Sequence, residues 1–457
     1  MRSFDVVVIG AGPAGEVAAG RLGGKGLQVA IVEDRLVGGE CSYWACMPSK
    51  ALLRPYEALA EARRVAGARE AITGALDVAA VLARRDEIVH GLDDAAQLPW
   101  LDARGVTLLR GRARLSGERR VTVGDETIEA RRAVILAPGS LPAFPPIAGL
   151  DAIDDAWTNR EATTAQAIPR RLVVLGGGVV GAELSQAFRT LGSEVTLIEG
   201  ERRLLAREEH FACEQVTAAL AAAGVDIRTG RSVVRVEREA GGGVLVTTDD
   251  GATAGGDRLL VALGRTPATA DLGVEVAGLE PGATIHVDAH MRVPGYPWLY
   301  AIGDVNGRAL LTHMGKYQGR LAADAILGHD HLLSHGADGP LAPRVTFTDP
   351  QVAAVGHTSR SAAESGLDVA VYDSETSGNA GGSFYGHDAP GTARWVVDTE
   401  RRIVVGCTIT GAEIADFLHA ATIAIVGEVP LERLRHAVPP FPTRSEIWLS
   451  LLEQAGV

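Results

Sequence analysis

Two glycine-rich turns of the same design restrict what this chain can fold into. The first lies in FDVVVIGAGPAGEVAAGRL and the second in RRLVVLGGGVVGAELSQAF. In each, an apolar run typical of a buried strand leads into a G-x-G-x-x-G turn and then into a helical pattern. The glycines share one spacing: Gly10, Gly12 and Gly15 in the first turn, Gly176, Gly178 and Gly181 in the second. We therefore predict two α/β units, each holding a dinucleotide pyrophosphate at a helix N-terminus.

A glutamate follows each turn at the same distance from its first glycine. Glu33 ends the run LQVAIVE, and Glu199 ends the run SEVTLIE. A carboxylate at this point can accept hydrogen bonds from ribose hydroxyls, and at Glu199 it would repel the 2′-phosphate of NADP. Arg202 and Arg203 follow and would soften that repulsion, but the pattern favours NADH. Two dinucleotide sites in one chain indicate that electrons pass between two carriers.

The segment GGECSYWACMPSK, residues 38–50, sets Cys41 and Cys46 five positions apart. On an ideal helix their Cα atoms would be ~8.6 Å apart, beyond the ~7 Å limit for a disulfide. We therefore expect a distorted helix. Pro48 suits a first helical turn, so both cysteines should lie near a helix N-terminus, which favours thiolate over thiol. The pair is predicted to be redox-active.

Two other interpretations of the cysteine pair are half of a zinc site and two buried thiols that happen to be close. Zinc needs four ligands, and the remaining cysteines, Cys213 and Cys407, stand alone far down the chain. No metal site is expected.

Composition narrows the class of partner and the compartment. The chain has 457 residues, enough for about three domains, and a net charge of −13, which argues against nucleic acid and against an anionic membrane surface. No apolar run reaches the ~18 residues that a membrane span needs. A strand pattern begins after four residues and leaves no room for a signal peptide. We expect a cytoplasmic protein, in which a disulfide would be catalytic or sensory.

Between the two glycine turns, the sequence after Lys50 shows apolar residues at helical spacing. Short alternating runs over residues 106–130 predict a small antiparallel meander that ends in the apolar strand AVILAPGS. Further along, VEREAGGGVLVTTDDG predicts a hairpin.

These motifs, in this order, resemble the FAD-dependent pyridine nucleotide-disulfide oxidoreductases along essentially the whole chain. GAGPAG with Glu33 is similar to the FAD motif, GGECSYWACMPSK to the redox-disulfide motif, GGGVVGAE to the NAD(P)H motif and LYAIGDV to the second FAD motif. PRVTFTDPQVAAVG and FPTRSE are similar to the interface domain of that family.

The resemblance implies an α/β fold with two Rossmann-like nucleotide-binding domains and a C-terminal α+β dimerisation domain. The FAD domain would comprise residues 1–150 and 265–338, the NAD(P)H domain residues 151–264, and the interface domain residues 339–457. The cofactors would be FAD and NAD(H) rather than NADP(H). The partners would be a second copy in a homodimer and a small-molecule disulfide, a protein disulfide or a quinone-like acceptor.

The resemblance also implies roles for single residues. Cys41 would be the thiol that attacks substrate and Cys46 the thiolate that contacts the flavin. Lys50 and Glu183 match an ion pair beside the reactive flavin nitrogen, and Asp304 matches the carboxylate that binds the ribityl chain. The remaining cofactor-binding candidates are Ala113, Gly139, Ser140, Gly264 and Thr312.

The tail departs from the family pattern. Where the family reads His-Pro-Thr-x-x-Glu, with a histidine acid–base lent by the partner subunit, this chain reads FPTRSE from Phe441 to Glu446. A phenyl ring cannot carry a proton. Glu446 is left to pair with Arg444, to act through water or to cap a helix, and His436 is a candidate substitute base.

The residues between the cysteines are also unusual for the family. Tyr43 and Trp44 either form a flat apolar face for a planar acceptor or pack the distorted helix. Three functions follow from the sequence: a disulfide reductase that uses the cysteine pair, a diaphorase-type quinone reductase that uses flavin directly, and a redox sensor with little turnover.

Overall fold

The computed structural model describes residues 2–386, 389 and 391–457. Its strands, numbered in chain order, are β1 Arg2–Ile9, β2 Val29–Glu33, β3 Val106–Arg110, β4 Ala113–Gly117, β5 Arg120–Val123, β6 Glu126–Leu136, β7 Ser140–Pro142, β8 Arg171–Leu175, β9 Glu194–Glu199, β10 Asp226–Thr229, β11 Val233–Arg238, β12 Val244–Thr248, β13 Thr253–Gly256, β14 Arg258–Val261, β15 Arg265–Pro267, β16 Leu299–Ala301, β17 Arg344–Thr346, β18 Gln351–Gly356, β19 Val369–Glu375, β20 Thr392–Asp398 and β21 Ile403–Gly411.

The α-helices lie between these strands and after the last of them. They are α1 Pro13–Gly23, α2 Gly39–Tyr43, α3 Cys46–Arg64, α4 Val78–Ile88, α5 Leu98–Asp102, α6 Asn159–Thr164, α7 Val179–Thr190, α8 His210–Ala222, α9 Thr312–Leu327, α10 Ser359–Glu364, α11 Leu418–Val426, α12 Leu431–Leu434 and α13 Ile447–Gln454.

The described chain divides into two compact units. The first comprises residues 1–48, 86–143 and 265–339, and the second residues 49–85, 144–264 and 340–457. The three domains predicted from the sequence remain a proposal.

The first unit is built on a seven-stranded sheet in the order β3-β2-β1-β6-β5-β4, with β16 added to β6. Its central strand β1 is apolar on both faces because both faces are covered: Val6 and Val8 pack into one core, and Val7 and Ile9 into another. The prediction for residues 106–130 was partly wrong. Strand β3 pairs in parallel with β2, so the antiparallel meander begins only at β4.

The second unit contains a parallel sheet, β10-β9-β8-β14, an antiparallel sheet, β11-β12-β13, and a five-stranded antiparallel sheet, β17-β18-β21-β20-β19. The predicted hairpin is confirmed as β11 paired with β12. The parallel sheet repeats the design of the first unit, since α7 follows β8 as α1 follows β1. This repeat places both glycine turns at the carboxyl ends of parallel strands, where open α/β sheets bind nucleotides.

Candidate active site

The first glycine turn combines two packing contacts with one open position. A Cβ atom at Gly10, where φ is +100°, would lie 2.2 Å from the carbonyl oxygen of Ala137. A Cβ at Gly15 would lie 2.0 Å from the carbonyl oxygen of Gly10, whereas a Cβ at Gly12 would meet nothing within 4 Å. Gly10 and Gly15 are thus required for packing. Gly12 leaves room in front of the α1 N-terminus, and this space fits a dinucleotide pyrophosphate.

Glu33 supports that turn. Its carboxylate accepts hydrogen bonds from the backbone N–H of Ala11 and of Arg35, both at 2.8 Å. The side chain is buried, and burial raises its pKa while the two backbone donors oppose the shift. The residue predicted to bind ribose therefore also ties the glycine turn after β1 to the chain just after β2.

The second glycine turn has the same construction. Gly176 has φ of +101°, and a Cβ there would lie 2.4 Å from the carbonyl oxygen of Ala262. A Cβ at Gly181 would lie 1.8 Å from the Gly176 carbonyl oxygen, and a Cβ at Gly178 would again meet nothing within 4 Å. The second turn therefore also leaves open space before a helix, here α7.

Glu199 repeats the contacts of Glu33. One carboxylate oxygen accepts from the backbone N–H of Gly177, and the other accepts from the N–H of Glu201 at 2.7 Å. Arg202 is exposed and Arg203 is partly exposed beyond it. The preference for NADH over NADPH stays a prediction.

The predicted break between the two cysteines is present. Helix α2 ends at Tyr43, Trp44 leaves the helical region with φ of −133° and ψ of −2°, and α3 begins at Cys46. Pro48 lies in the first turn of α3, where its missing N–H needs no partner. Cys41 and Cys46 are both partly exposed free thiols. They stand on separate helices, which removes the spacing problem of one continuous helix.

The two sulfurs interact, with a consequence that the sequence did not indicate. A hydrogen bond with Cys46, together with burial, raises the pKa of the Cys41 thiol. Thr312 and the ammonium of Lys316 lower that pKa by smaller amounts, and the Thr312 Oγ1 atom lies 3.5 Å from the Cys46 sulfur. The expectation of a helix end favouring thiolate at both cysteines is wrong for Cys41. As a thiol, Cys41 serves as a hydrogen-bond donor to its neighbour.

Lys50 and Glu183 form an ion pair with 2.6 Å between Nζ and Oε2. Glu183 is buried, and its second oxygen accepts from the backbone N–H of Phe347 at 2.9 Å. The ring of Phe347 lies 4.8 Å from the ammonium. These contacts fix the position of the Lys50 charge, and its role beside a flavin remains a prediction.

Asp304 lies in a short 3₁₀ turn, Gly303–Asn306, and is partly exposed. Its Oδ2 atom accepts a hydrogen bond from the Ser140 hydroxyl at 2.5 Å. Arg265 donates to that hydroxyl at 2.7 Å and to the Ser140 carbonyl at 2.8 Å. Burial raises the pKa of Asp304, and Ser140 and Arg265 oppose the shift. Sequence reasoning missed Arg265, since no motif links it to Ser140, which is 125 positions away.

The remaining cofactor candidates lie at backbone positions. Ala113 is buried at the start of β4, and Thr312 begins α9. Gly139 and Gly264 have φ of +75° and +107°, and a Cβ at either would meet nothing within 4 Å. Both glycines therefore combine a left-handed backbone with free space beside it.

The C-terminal tail exposes Phe441, which is 75% accessible. Arg444 is buried and donates to the carbonyl oxygens of Ala412 and Glu413. The suggested pairing of Glu446 with Arg444 is therefore wrong. The Oε2 atom of Glu446 is buried and has no hydrogen-bond partner among the described residues. Glu446 is the N-cap residue of α13, but its side chain makes no capping bond.

The two aromatic residues beside the cysteines differ in exposure. Tyr43 is 1% exposed and packs inside its unit, so it offers no face to an acceptor. Trp44 is partly exposed, and the two ring centroids are 5.8 Å apart. Tyr43 therefore packs the distorted helix, as one of the two interpretations predicted.

His436 is exposed near the end of α12, and its role as a substitute base stays a prediction.

Family models match nearly the whole chain. The model for pyridine nucleotide-disulphide oxidoreductases matches residues 4–319, and the model for the dimerisation domain of that family matches residues 342–451. The chain belongs to the pyridine nucleotide-disulphide oxidoreductases. The fold class predicted from the sequence is confirmed: two nucleotide-binding α/β parts and a dimerisation domain. This family member is a FAD-dependent oxidoreductase that uses a pyridine nucleotide.

Individual relatives agree with this assignment. A dihydrolipoyl dehydrogenase from Thermus scotoductus is 35% identical over 98% of this oxidoreductase and 96% of its own length. A mercuric reductase from Staphylococcus aureus is 30% identical over 97% of this chain and 81% of its own length. Both matches cover nearly the whole oxidoreductase.

Solved structures share the fold. The flavoprotein disulfide reductase RclA from Escherichia coli, in a Cu(II) complex, aligns with a TM-score of 0.87 at 24% identity. The alignment covers 99% of this chain and all of RclA. LpdA from Mycobacterium tuberculosis aligns with a TM-score of 0.86 at 24% identity over the full length of both chains.

Two other findings bear on the sequence expectations. In the described part of the oxidoreductase, no helix is both long and apolar enough to cross a membrane. The described residues also contain no cluster of three or more histidine, cysteine, aspartate or glutamate side chains arranged to hold a metal ion.

Proposed function

We propose that this oxidoreductase takes hydride from NADH and reduces a disulfide through Cys41 and Cys46. The observation that supports this most directly is the contact between the two thiols. They lie on separate helices, and Thr312 lies beside Cys46. Two thiols within hydrogen-bond reach need little movement to exchange a dithiol for a disulfide. FAD, when bound, would pass two electrons from the nicotinamide to this pair.

Each residue of the pair has its own part in this proposal. Cys46 is the first residue of α3, where the helix dipole favours a negative charge on sulfur. Cys41 donates a hydrogen bond to it and is the sulfur that attacks the acceptor. Lys50 follows Cys46 by one turn of the same helix, and its ion pair with Glu183 holds a positive charge in a fixed position.

The two glutamates after the glycine turns are assigned to different cofactors. Glu33 would bind the ribose of FAD, and Glu199 the ribose of NADH. Asp304, oriented by Ser140, would accept from the ribityl hydroxyls of FAD. The dimerisation domain supports a homodimer as the working form.

The test is the spectrum of the NADH-reduced protein. A thiolate in contact with oxidised flavin gives a long-wavelength absorbance, which we expect in the wild type and not in Cys46→Ala. An absent band in the wild type, or an unchanged band in Cys46→Ala, would remove the cysteines from the electron path. Quinone turnover that survives in Cys41→Ser, without any disulfide turnover in the wild type, would support the diaphorase function instead.

A further inference from the structure

Arg265 is the first residue of β15, which pairs with β7 in the first compact unit. Its Nε atom donates to the Ser140 hydroxyl at 2.7 Å, and its Nη2 atom donates to the Ser140 carbonyl at 2.8 Å. The same hydroxyl donates to Asp304. The guanidinium of Arg265 is therefore attached to the serine that orients the carboxylate proposed to bind FAD.

A further contact of this guanidinium leads to the cysteine segment. The Nη2 atom of Arg265 lies 3.7 Å from the Oε1 atom of Glu40, which precedes Cys41 on α2. The two side chains are only 21% and 22% exposed. Their attraction is thus screened less by salt than that of a fully exposed pair. One arginine consequently joins Ser140 to α2.

Helix α2 is short and depends on its contacts with the rest of the unit. It has five residues, and the N–H of Trp44 donates to the carbonyl of Glu40 at 2.9 Å at its end. At its start, a Cβ at Gly39 would lie only 2.7 Å from the Cα of Gly12. A single helical turn is not stable in isolation. The contact that Glu40 makes through its side chain therefore helps to fix where α2 lies.

The position of α2 determines how close the two thiols are. Cys46 begins α3, and its sulfur lies 3.5 Å from the Oγ1 atom of Thr312. Cys41 lies on α2 and is hydrogen-bonded to Cys46. A shift of α2 would move one sulfur away from the other, and a disulfide forms only within a narrow range of Cα and Cβ separations.

We propose that Glu40 and Arg265 are positioning residues that hold α2 so that Cys41 stays within bonding reach of Cys46. The inference deepens the proposed function and rests on it in taking the two cysteines as the reacting thiols. Arg265 acts on Asp304 through Ser140 and on α2 through Glu40. A single guanidinium thereby positions both the carboxylate for FAD and the redox pair.

The first measurement is the dithiol–disulfide equilibrium of the holoenzyme in glutathione redox buffers, read as the fraction of Cys41 that can be alkylated. Glutathione disulfide takes two electrons and two protons from the cysteine pair, which gives the protein disulfide and two molecules of glutathione. We expect Glu40→Gln to lower the equilibrium constant for disulfide formation about threefold, an effect within the range of one ion pair. Glu40→Asp, which keeps the charge, should lose less.

A double-mutant comparison tests whether the two residues act together. Arg265→Met should also lower the equilibrium constant, and adding Glu40→Gln to it should change that constant by less than about twofold. Glu40→Gln should leave FAD binding unweakened, whereas Arg265→Met should weaken it about tenfold. The matched control is Glu275→Gln, which breaks an exposed ion pair with Arg114 in the same unit and should match the wild type in every measurement.

Hydrogen exchange over residues 38–46 of the holoenzyme gives a readout that does not depend on redox chemistry. We expect the amide of Trp44 to exchange about threefold faster in Glu40→Gln than in Glu275→Gln, because α2 opens more often. Equal equilibrium constants and exchange rates in these two variants, or additive losses in the double variant, would overturn the inference. If no glutathione buffer interconverts the dithiol and the disulfide in the wild type, the proposed function fails. The exchange rates alone then decide whether Glu40 and Arg265 position α2.

Discussion

The carboxylate of Glu33 accepts the backbone N–H of Ala11 at 2.8 Å, and Glu199 makes the equivalent contact with Gly177 in the second glycine turn. Two turns separated by more than 160 residues of chain are held by the same device. In each, one carboxylate supports the glycine turn, and the two are proposed to bind the ribose of different cofactors, so the loss of either should affect one cofactor only.

The first prediction concerns these two glutamates. Glu33→Gln should weaken FAD binding about 10-fold to 100-fold, because an amide cannot accept from both backbone donors and a charged hydrogen bond contributes about 1.5–3 kcal/mol. Glu199→Gln should raise the KM for NADH by a similar factor. FAD affinity from fluorescence quenching and KM from steady-state kinetics give the two readouts. Loss of both cofactors in either variant would contradict the assignment.

The second prediction concerns Lys50. Replacing it with methionine removes a charge that Glu183 fixes, and should slow flavin reduction by NADH on the order of 10²-fold. The rate is measured as flavin bleaching in a stopped-flow instrument. Lys50→Arg, which keeps the charge, is the matched control and should lose less. A flavin reduction rate in Lys50→Met within twofold of the wild type would show that this ion pair does not assist flavin reduction.

The third prediction concerns Arg265, which donates to the Ser140 hydroxyl that in turn donates to Asp304. Arg265→Met should lower FAD affinity about tenfold, because one hydrogen bond to a charged group contributes about 1.5 kcal/mol. Arg112→Met, an exposed arginine of the same unit, is the control. The readout is the FAD dissociation constant of the stripped protein. Equal FAD affinities in Arg265→Met and Arg112→Met would show that Ser140 orients Asp304 without Arg265.

The fourth prediction is a pH-dependent stability difference at Glu16. Its folded pKa, about 7, lies above the value of 4.5 for an unperturbed glutamate. Folding therefore favours the protonated carboxyl, and this contribution is full below 4.5 and lost as the pH rises to about 7. Glu16→Gln should be more stable than the wild type at pH 8 by about 3 kcal/mol, and equal to it at pH 4. Thermal midpoints of both proteins at the two pH values check this, and a constant difference would contradict it.

The fifth prediction concerns the tail. Phe441→His should raise alkyl disulfide reduction by about 10-fold or more, because it restores a proton carrier to the tail segment that ends at Glu446, whose Oε2 atom has no hydrogen-bond partner among the described residues. Adding Glu446→Gln should remove most of that gain by leaving the imidazole unoriented. The measured quantity is kcat/KM for hydroxyethyl disulfide. No gain in Phe441→His would show that the pocket, not the proton, limits the exchange.

The local sequence was enough to predict the geometry of the glycine turns and of the cysteine segment. The G-x-G-x-x-G pattern predicts that backbone atoms approach its glycines closely. The structure has such contacts at Gly10, Gly15, Gly176 and Gly181. The spacing of Cys41 and Cys46 required a broken helix, and the break is at Trp44. Such features depend on backbone geometry over a few residues, so one short segment is enough to specify them.

Tertiary structure decided the pKa values of the titratable side chains and which hydrogen-bond partners the side chains have. The pKa of Glu16, the raised pKa of Cys41, the burial of Tyr43 and the route from Arg265 to Asp304 all depend on segments far apart in the chain. The hydrogen bonds of Arg444 to the carbonyl oxygens of Ala412 and Glu413 are a further case. Desolvation and hydrogen bonding act through space, so a residue's surroundings are known only when the chain has folded.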